Sequence, residues 1–144
     1  SILRRLLRGS SCRVFTSDAR VRLSRTRHVY PDASVSCNEQ DRGQSDIVQF
    51  PRLVVEVLSP STEGYDRGRK FGYYRECPSI QEYLLIDAQR AMVEVYRREK
   101  HDLWILQTFR LADEVELSNL GVHFPVSAVY EDVVLPDQDE GGEP

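Results

Sequence analysis

Residues 51–88 read "PRLVVEVLSPSTEGYDRGRKFGYYRECPSIQEYLLIDA", two apolar runs on either side of a polar stretch. The first, "PRLVVEVLS", is nearly continuous in Leu and Val, the pattern of a central strand covered on both faces. Ser59, Ser61 and Thr62 offer caps for a helix through about Cys77, where Pro78 ends it. "EYLLIDA" is a second buried strand. Strand, helix and strand in this order form a crossover unit, which sets the class as α/β.

The flanking segments extend the sheet. "HVYPDASVSC" (28–37) predicts a strand with Pro31 near its start, and "CRVFTSDARVRL" (12–23) a bent strand or a hairpin. "MVEVYRREKHDLWILQTFRL" (92–111) predicts two alternating strands around "REKHD". Residues 2–7 carry Ile2, Leu3, Leu6 and Leu7 at helical spacing, with Gly9 as a stop. That helix is expected to begin without a cap, because Ser1 falls inside or just before the apolar pattern. "VELSNLGVHFPVSAVYEDV" (115–133) reads as strand and then a short helix. The architecture expected is a mixed central sheet flanked by helices, with an added hairpin. Residues 1–135 form one domain, and 136–144, "PDQDEGGEP", an acidic flexible tail.

At 144 residues, 40% hydrophobic and 29% charged, the composition is that of a globular protein. No apolar run approaches the roughly 18 residues a membrane span needs, so no membrane is expected. Cys12, Cys37 and Cys77 are odd in number and without a CxxC pair, which predicts reduced thiols in a cytoplasm. The net charge of −4 conceals a gradient. Arg4, Arg5, Arg8, Arg13, Arg20, Arg22, Arg25 and Arg27 face one acid, Asp18, within the first thirty residues, and acids dominate the other end. Such polarity can set a basic face beside a phosphate-binding cleft, but a merely solvated face is the better ordinary reading.

A charge in the middle of the strand 53–58 needs a partner, since burying a lone carboxylate costs several kcal/mol. Alternation puts Val54, Glu56 and Leu58 on one face. If the strand headed by Asp32 pairs with this one, two carboxylates converge, and with waters they suit Mg²⁺ (or Mn²⁺). A lysine nearby, Lys70, would then assist an attacking water and stabilise charge on a phosphoryl oxygen. Each residue also has an ordinary reading. Glu56 can pair with an arginine or accept backbone N–H groups, Asp32 after Pro31 can be a turn residue, and Lys70 stands four residues after Asp66, as in a helix salt bridge. His28, His101 and His123 share no ligand spacing. Tyr73, Tyr74 and Phe71 read as core, and Asp87 as a turn cap.

In "YPDASVSC", in residues 51–87 and in "VEVYRRE", followed by a tryptophan strand and "LSNLGVHFPVSAVYEDV", the sequence resembles the Uma-type restriction endonuclease family of the PD-(D/E)XK nuclease superfamily. The match is collinear over about residues 12–135. The resemblance implies the restriction-endonuclease-like core and Mg²⁺-dependent hydrolysis of DNA phosphodiesters. It implies Asp32 and Glu56 as metal ligands, with Lys70 completing the catalytic set. Two departures stand out. The superfamily lysine lies two residues after the acid, where this chain has Leu58, so Lys70 must act from the helix. The chain is also expected to be N-terminally short, starting within the family's first helix. The rival from another class is a catalytically silent nuclease-fold domain used for binding or assembly. The hairpin 92–110, with Trp104, is an expected homodimer contact.

Overall fold

The computed structural model describes residues 1–43 and 46–136. Of the tail expected over 136–144, residues 137–144 lie outside the described residues, as do 44 and 45. In chain order the elements are α1 (Ile2–Leu6), β1 (Arg13–Thr16), β2 (Arg20–Arg22), β3 (His28–Val29), β4 (Ala33–Ser36), β5 (Ile47–Val48) and β6 (Leu53–Leu58). They continue with α2 (Glu63–Arg67), α3 (Arg69–Arg75), β7 (Glu82–Asp87), β8 (Met92–Arg98), β9 (Trp104–Arg110), β10 (Glu114–Leu117), β11 (Val122–Pro125) and α4 (Val126–Val129). No described helix is long and apolar enough to cross a membrane.

Six strands form the central sheet in the order β1-β4-β6-β7-β8-β9. Only β6 and β7, joined through α2 and α3, are parallel; the other neighbours are antiparallel. This is the mixed sheet with a crossover and an added hairpin that the sequence predicts. β10 and β11 form a separate hairpin, and β3-β2-β5 a small second sheet. The segment 12–23 is therefore neither one strand nor a simple hairpin: β1 joins the large sheet and β2 the small one.

Both faces of the large sheet are covered, which is why β6 reads as continuous apolar sequence. On one face Leu53, Val55, Val93 and Val95 pack with Leu3 and Leu7 from the N-terminal helical segment and with Val115, Phe124 and Val126. On the other, Val54, Leu58, Tyr83 and Leu85 pack under Tyr74 of α3 and under Ala19, Val21, Leu23 and Val48 of the small sheet. Burying ten or so such side chains at about 1.5–3 kcal/mol each supplies the driving force on either side.

Three expectations are corrected. The helix 62–77 is broken into α2 and α3 at Gly68, where a Cβ would stand 3.1 Å from the Gly64 carbonyl oxygen. Ser1 caps α1 through its hydroxyl, which accepts from the Arg4 N–H at 3.4 Å. Cys12 and Cys37 are not free thiols but a disulfide; only Cys77 is free, and it is buried. The bond forms because the ladder pairing Arg13 with Ser36 sets the two cysteines opposite one another at its next step. Joining positions 25 apart stabilises the fold by about 3 kcal/mol on chain-entropy grounds.

The hairpin 92–110 is present as β8 and β9, with His101 and Asp102 at positive φ in its turn. Trp104 is half-buried, its ring edge-on to Phe71 at 5.5 Å, so it serves the core. β9 is an edge strand, with Ile105 and Leu106 exposed.

Candidate active site

β4 and β6 are antiparallel neighbours with Ala33 opposite Val55, so one further step sets Asp32 against Glu56 on the same face. Asp32, exposed at the head of β4, accepts the Val57 N–H through Oδ2 at 2.7 Å. Its turn-like position after Pro31 thus serves to fix its carboxylate to the neighbouring strand. Glu56 is almost wholly buried. Its partner is Lys70, not an arginine: the Lys70 Nζ lies 2.6 Å from Glu56 Oε2 and 3.9 Å from Asp66 Oδ1. The tighter of the two contacts is the one across to the strand.

Tyr74 completes the arrangement. Its hydroxyl donates to the same Glu56 Oε2 at 2.7 Å. Asp66, Lys70 and Tyr74 follow at four-residue intervals and so share one stripe of the helical segment, which continues across the break at Gly68. Phe71 anchors that segment, stacked 5.6 Å from Tyr83 and lying tilted 4.2 Å from Tyr96. The Tyr83 hydroxyl donates to the Asp66 carbonyl at 2.9 Å, which fixes α2 from below. Arg67 adds a bridge from α2 to the sheet, bonded to both Glu63 and Glu94.

Burial pushes the Glu56 carboxyl above its ordinary value of 4.5; Lys70 and Tyr74 oppose the shift and the Asp32 charge adds to it. Asp66 is likewise raised by burial, against the pull of Lys70 and Thr62. Tyr74 is raised far out of the titrating range, first by burial and then by Glu56, and remains a donor. Two buried acids whose ionisation is costly, Glu56 and Asp66, thus share one ammonium, with the exposed Asp32 beside Glu56. Any added cation would be stabilised there.

A divalent ion suits the donors present. Glu56 Oε2 is taken by Lys70 and Tyr74, and Asp32 Oδ2 by Val57, whereas Glu56 Oε1 and Asp32 Oδ1 have no hydrogen-bond partner among the described residues. Two hard oxygens match a Mg²⁺ ion that keeps most of its waters. No cage of three or more His, Cys, Asp or Glu side chains exists among the described residues, so a dehydrated, fully protein-ligated ion does not fit.

The sequence picked out Asp32, Glu56 and Lys70, and the fold gathers all three. It missed the roles of Tyr74, read only as core, and of Asp66, read only as a surface partner for Lys70. Their four-residue spacing with Lys70 was the available signal. The three histidines stay in separate segments, and Asp87 accepts the Gln89 and Arg90 N–H groups as a turn cap.

Comparison with known proteins bears on the family and the fold. A protein of Synechocystis sp. (strain ATCC 27184 / PCC 6803 / Kazusa), "Uncharacterized protein slr1290", is 37% identical over 125 residues, covering 86% of this chain and 66% of its own. A second from the same organism, "Uncharacterized protein sll1609", is 39% identical over 97 residues, covering 65% of this chain and 54% of its own. The chain thus spans between half and two thirds of these relatives. A solved structure from Anabaena variabilis ATCC 29413, described as "a putative nuclease belonging to DUF820", superposes with a TM-score of 0.71 at 17% identity, over 90% of this chain and 74% of that one. At that identity the likeness establishes a shared fold. The family described as "Putative restriction endonuclease", Uma2, matches residues 1–127, nearly the whole described chain, and the protein belongs to it.

Proposed function

We propose that the chain is a Mg²⁺- or Mn²⁺-dependent endonuclease that hydrolyses DNA phosphodiesters. Asp32 and Glu56 hold the ion, and Lys70 is the catalytic cation. The observation that carries this reading is the 2.6 Å contact of Lys70 with Glu56. It returns to the strand acid the ammonium that Leu58 cannot supply. When bound, the ion contributes positive charge against the phosphoryl oxygens and makes water a better nucleophile at neutral pH. Lys70, held between Glu56 and Asp66, orients the attacking water and stabilises charge on the phosphoryl oxygen. Tyr74 fixes the Glu56 carboxylate through Oε2, which leaves Oε1 as the oxygen that would help hold an ion. Asp66 gives the Lys70 ammonium a second acidic neighbour besides Glu56.

β9 supports a homodimer. It is an edge strand with no charge between Trp104 and Phe109, and pairing with a second copy would cover Ile105 and Leu106. Light scattering showing only monomer at high micromolar concentration would refute that contact. The cytoplasm was expected from reduced thiols, and the Cys12–Cys37 bond removes that ground, since disulfides are rare there.

Titrating Mg²⁺ and Mn²⁺ against nicking of supercoiled DNA tests the central reading, with calorimetry of metal binding alongside. Metal-dependent nicking, lost together with metal binding in Glu56→Gln, is the expected result. A wild-type protein that neither binds the metal nor nicks would leave the alternative, a silent nuclease-fold domain used for assembly.

A further inference from the structure

The arginines of residues 1–30 separate onto opposite sides of the central sheet. Arg4, Arg5 and Arg8 belong to the N-terminal helical segment, whose Leu3 and Leu7 pack on the face of Leu53 and Val55. Arg20 and Arg22 belong to β2, in the layer that covers the Glu56 face. Along β2 the alternation is clean. Ala19, Val21 and Leu23 point inward, at 2%, 0% and 8% exposure, while Arg20 is exposed and Arg22 half-buried on the outer side.

Arg25 and Arg27, both exposed, continue the positive surface through the β2–β3 connection. The Arg27 guanidinium lies over the Tyr73 ring at 3.6 Å, and the next residue, Tyr74, holds Glu56. From Arg27 the chain passes through β3 to Asp32 in five residues, a reach of at most about 17 Å. A DNA strand presents a phosphate every 3.4 Å or so along its axis, so this distance covers only about five of them.

These arginines also stand apart from the acids of the described residues. Arg20, Arg22, Arg25 and Arg27 form no ion pair among the described residues, and Arg22 bonds only to the Ser24 carbonyl. Arg67, Arg90, Arg97 and Arg98 are each paired with a carboxylate. In a chain of net charge −4, unpaired guanidinium groups in the layer of the candidate site form a local positive field. Their forked donors suit phosphate oxygens.

We propose that the outer face of the small β3-β2-β5 sheet is the DNA-docking surface of this chain. Arg20, Arg22, Arg25 and Arg27 hold the phosphate backbone of a DNA strand and bring a phosphodiester to Asp32 and Glu56. The arginines of the N-terminal helical segment, on the far side of the sheet, take no part. The proposal rests on the endonuclease reading for its choice of ligand.

The experiment is fluorescence anisotropy with a labelled duplex of about 30 base pairs, in Ca²⁺ in place of Mg²⁺, over a range of NaCl. The triple variant Arg20→Gln/Arg22→Gln/Arg25→Gln should bind at least about tenfold more weakly at low salt. Its log–log salt slope should be shallower by about two to three, near 0.9 for each phosphate no longer neutralised. Arg4→Gln/Arg5→Gln/Arg8→Gln should stay within about twofold of wild type. The reverse pattern, equal losses from both triples, or an unweakened first triple, would each overturn the proposal. Should the first triple fail to fold by circular dichroism, the single variant Arg25→Gln, exposed and outside any strand, should lower the slope by about one; an unchanged slope overturns the proposal. A nicking assay in Mg²⁺ separates the two readings. Wild-type protein that binds through the β2 arginines yet never nicks ends the endonuclease reading and keeps the surface. Wild-type protein that nicks, with the first triple binding and nicking equally well, ends the surface and keeps the enzyme.

Discussion

Glu56 and Glu82 are both buried acids on strands of the same sheet, and each has one cationic partner. Glu82, on β7 opposite Leu53, faces the core that includes Val93 and Val95; its Oε2 pairs with Arg97 Nε at 3.0 Å. Arg97 is itself held, donating to the Glu116 carbonyl at 2.9 Å. Burial raises the Glu82 carboxyl too, chiefly against the pull of Arg97. The environments then diverge. Around Glu56 stand Asp32, whose charge adds to its shift, and Lys70, shared with Asp66; no other acid contributes to the shift at Glu82. A buried carboxylate with a counter-ion is thus not a site in itself. A second acid on the neighbouring strand and a cation shared among several acids make the environment one that accepts a further positive charge.

The largest expected effect contrasts these two acids directly. Glu56→Gln should lower metal-dependent nicking by at least about a hundredfold, as removal of a key electrostatic group does. Glu82→Gln should leave nicking within about twofold while lowering stability, because Arg97 is left without its partner. Equal falls in nicking from both, measured on folded protein, would break the distinction.

Lys70→Ala comes next. It leaves Glu56 buried without its counter-ion, at a cost of about 3 kcal/mol at pH 8. The cost should shrink at pH 5, because Glu56, raised further above 4.5 without Lys70, is protonated more readily as pH falls. Urea denaturation at the two pH values measures both, and equal costs would show that the contact is no ion pair.

Two tyrosines sharpen the comparison on a smaller scale. Tyr74→Phe removes a hydrogen bond to a charged acceptor, worth about 2 kcal/mol, and should lower kcat with little change in KM. Tyr130, on the other face, donates to the Asp87 and Met92 carbonyls; Tyr130→Phe should cost about 1 kcal/mol and leave nicking unchanged.

The smallest effect is in the wild-type pH profile. Glu56 and Asp66 are both raised, so in the window above their ordinary values the native state holds more protons than the unfolded chain. Stability from these groups is present below that window and falls as pH rises through it. In Glu56→Gln the fall should be shallower, as thermal melts across the window would record.

Much of this was legible before any tertiary structure. Continuous Leu and Val in residues 53–58, alternation in 92–98 and 104–109, and Pro78 as a helix stop each report a local preference of the chain. From them follow the β6–helix–β7 crossover, the β8–β9 hairpin and the α/β class. The oddity of Glu56 within an apolar strand was legible as well, because an unpaired buried charge is too costly to be accidental. Asp32 could be matched to it because two adjacent strands share a face.

Register and layering were decided elsewhere, since they depend on residues far apart in sequence. The antiparallel pairing of β1 with β4 is what brings Cys12 to Cys37, and no spacing rule contains it. The break at Gly68 lies in its non-helical backbone, φ −101° and ψ −93°, which the spacing of apolar residues does not register. Tyr74 looks like any core aromatic until the strand beneath it is known to carry Glu56. The arginine-rich first thirty residues look like one basic region, yet the sheet runs between them. Composition set the amount of charge; the two faces of the sheet decided which part of it lies in the layer over the face that carries Glu56.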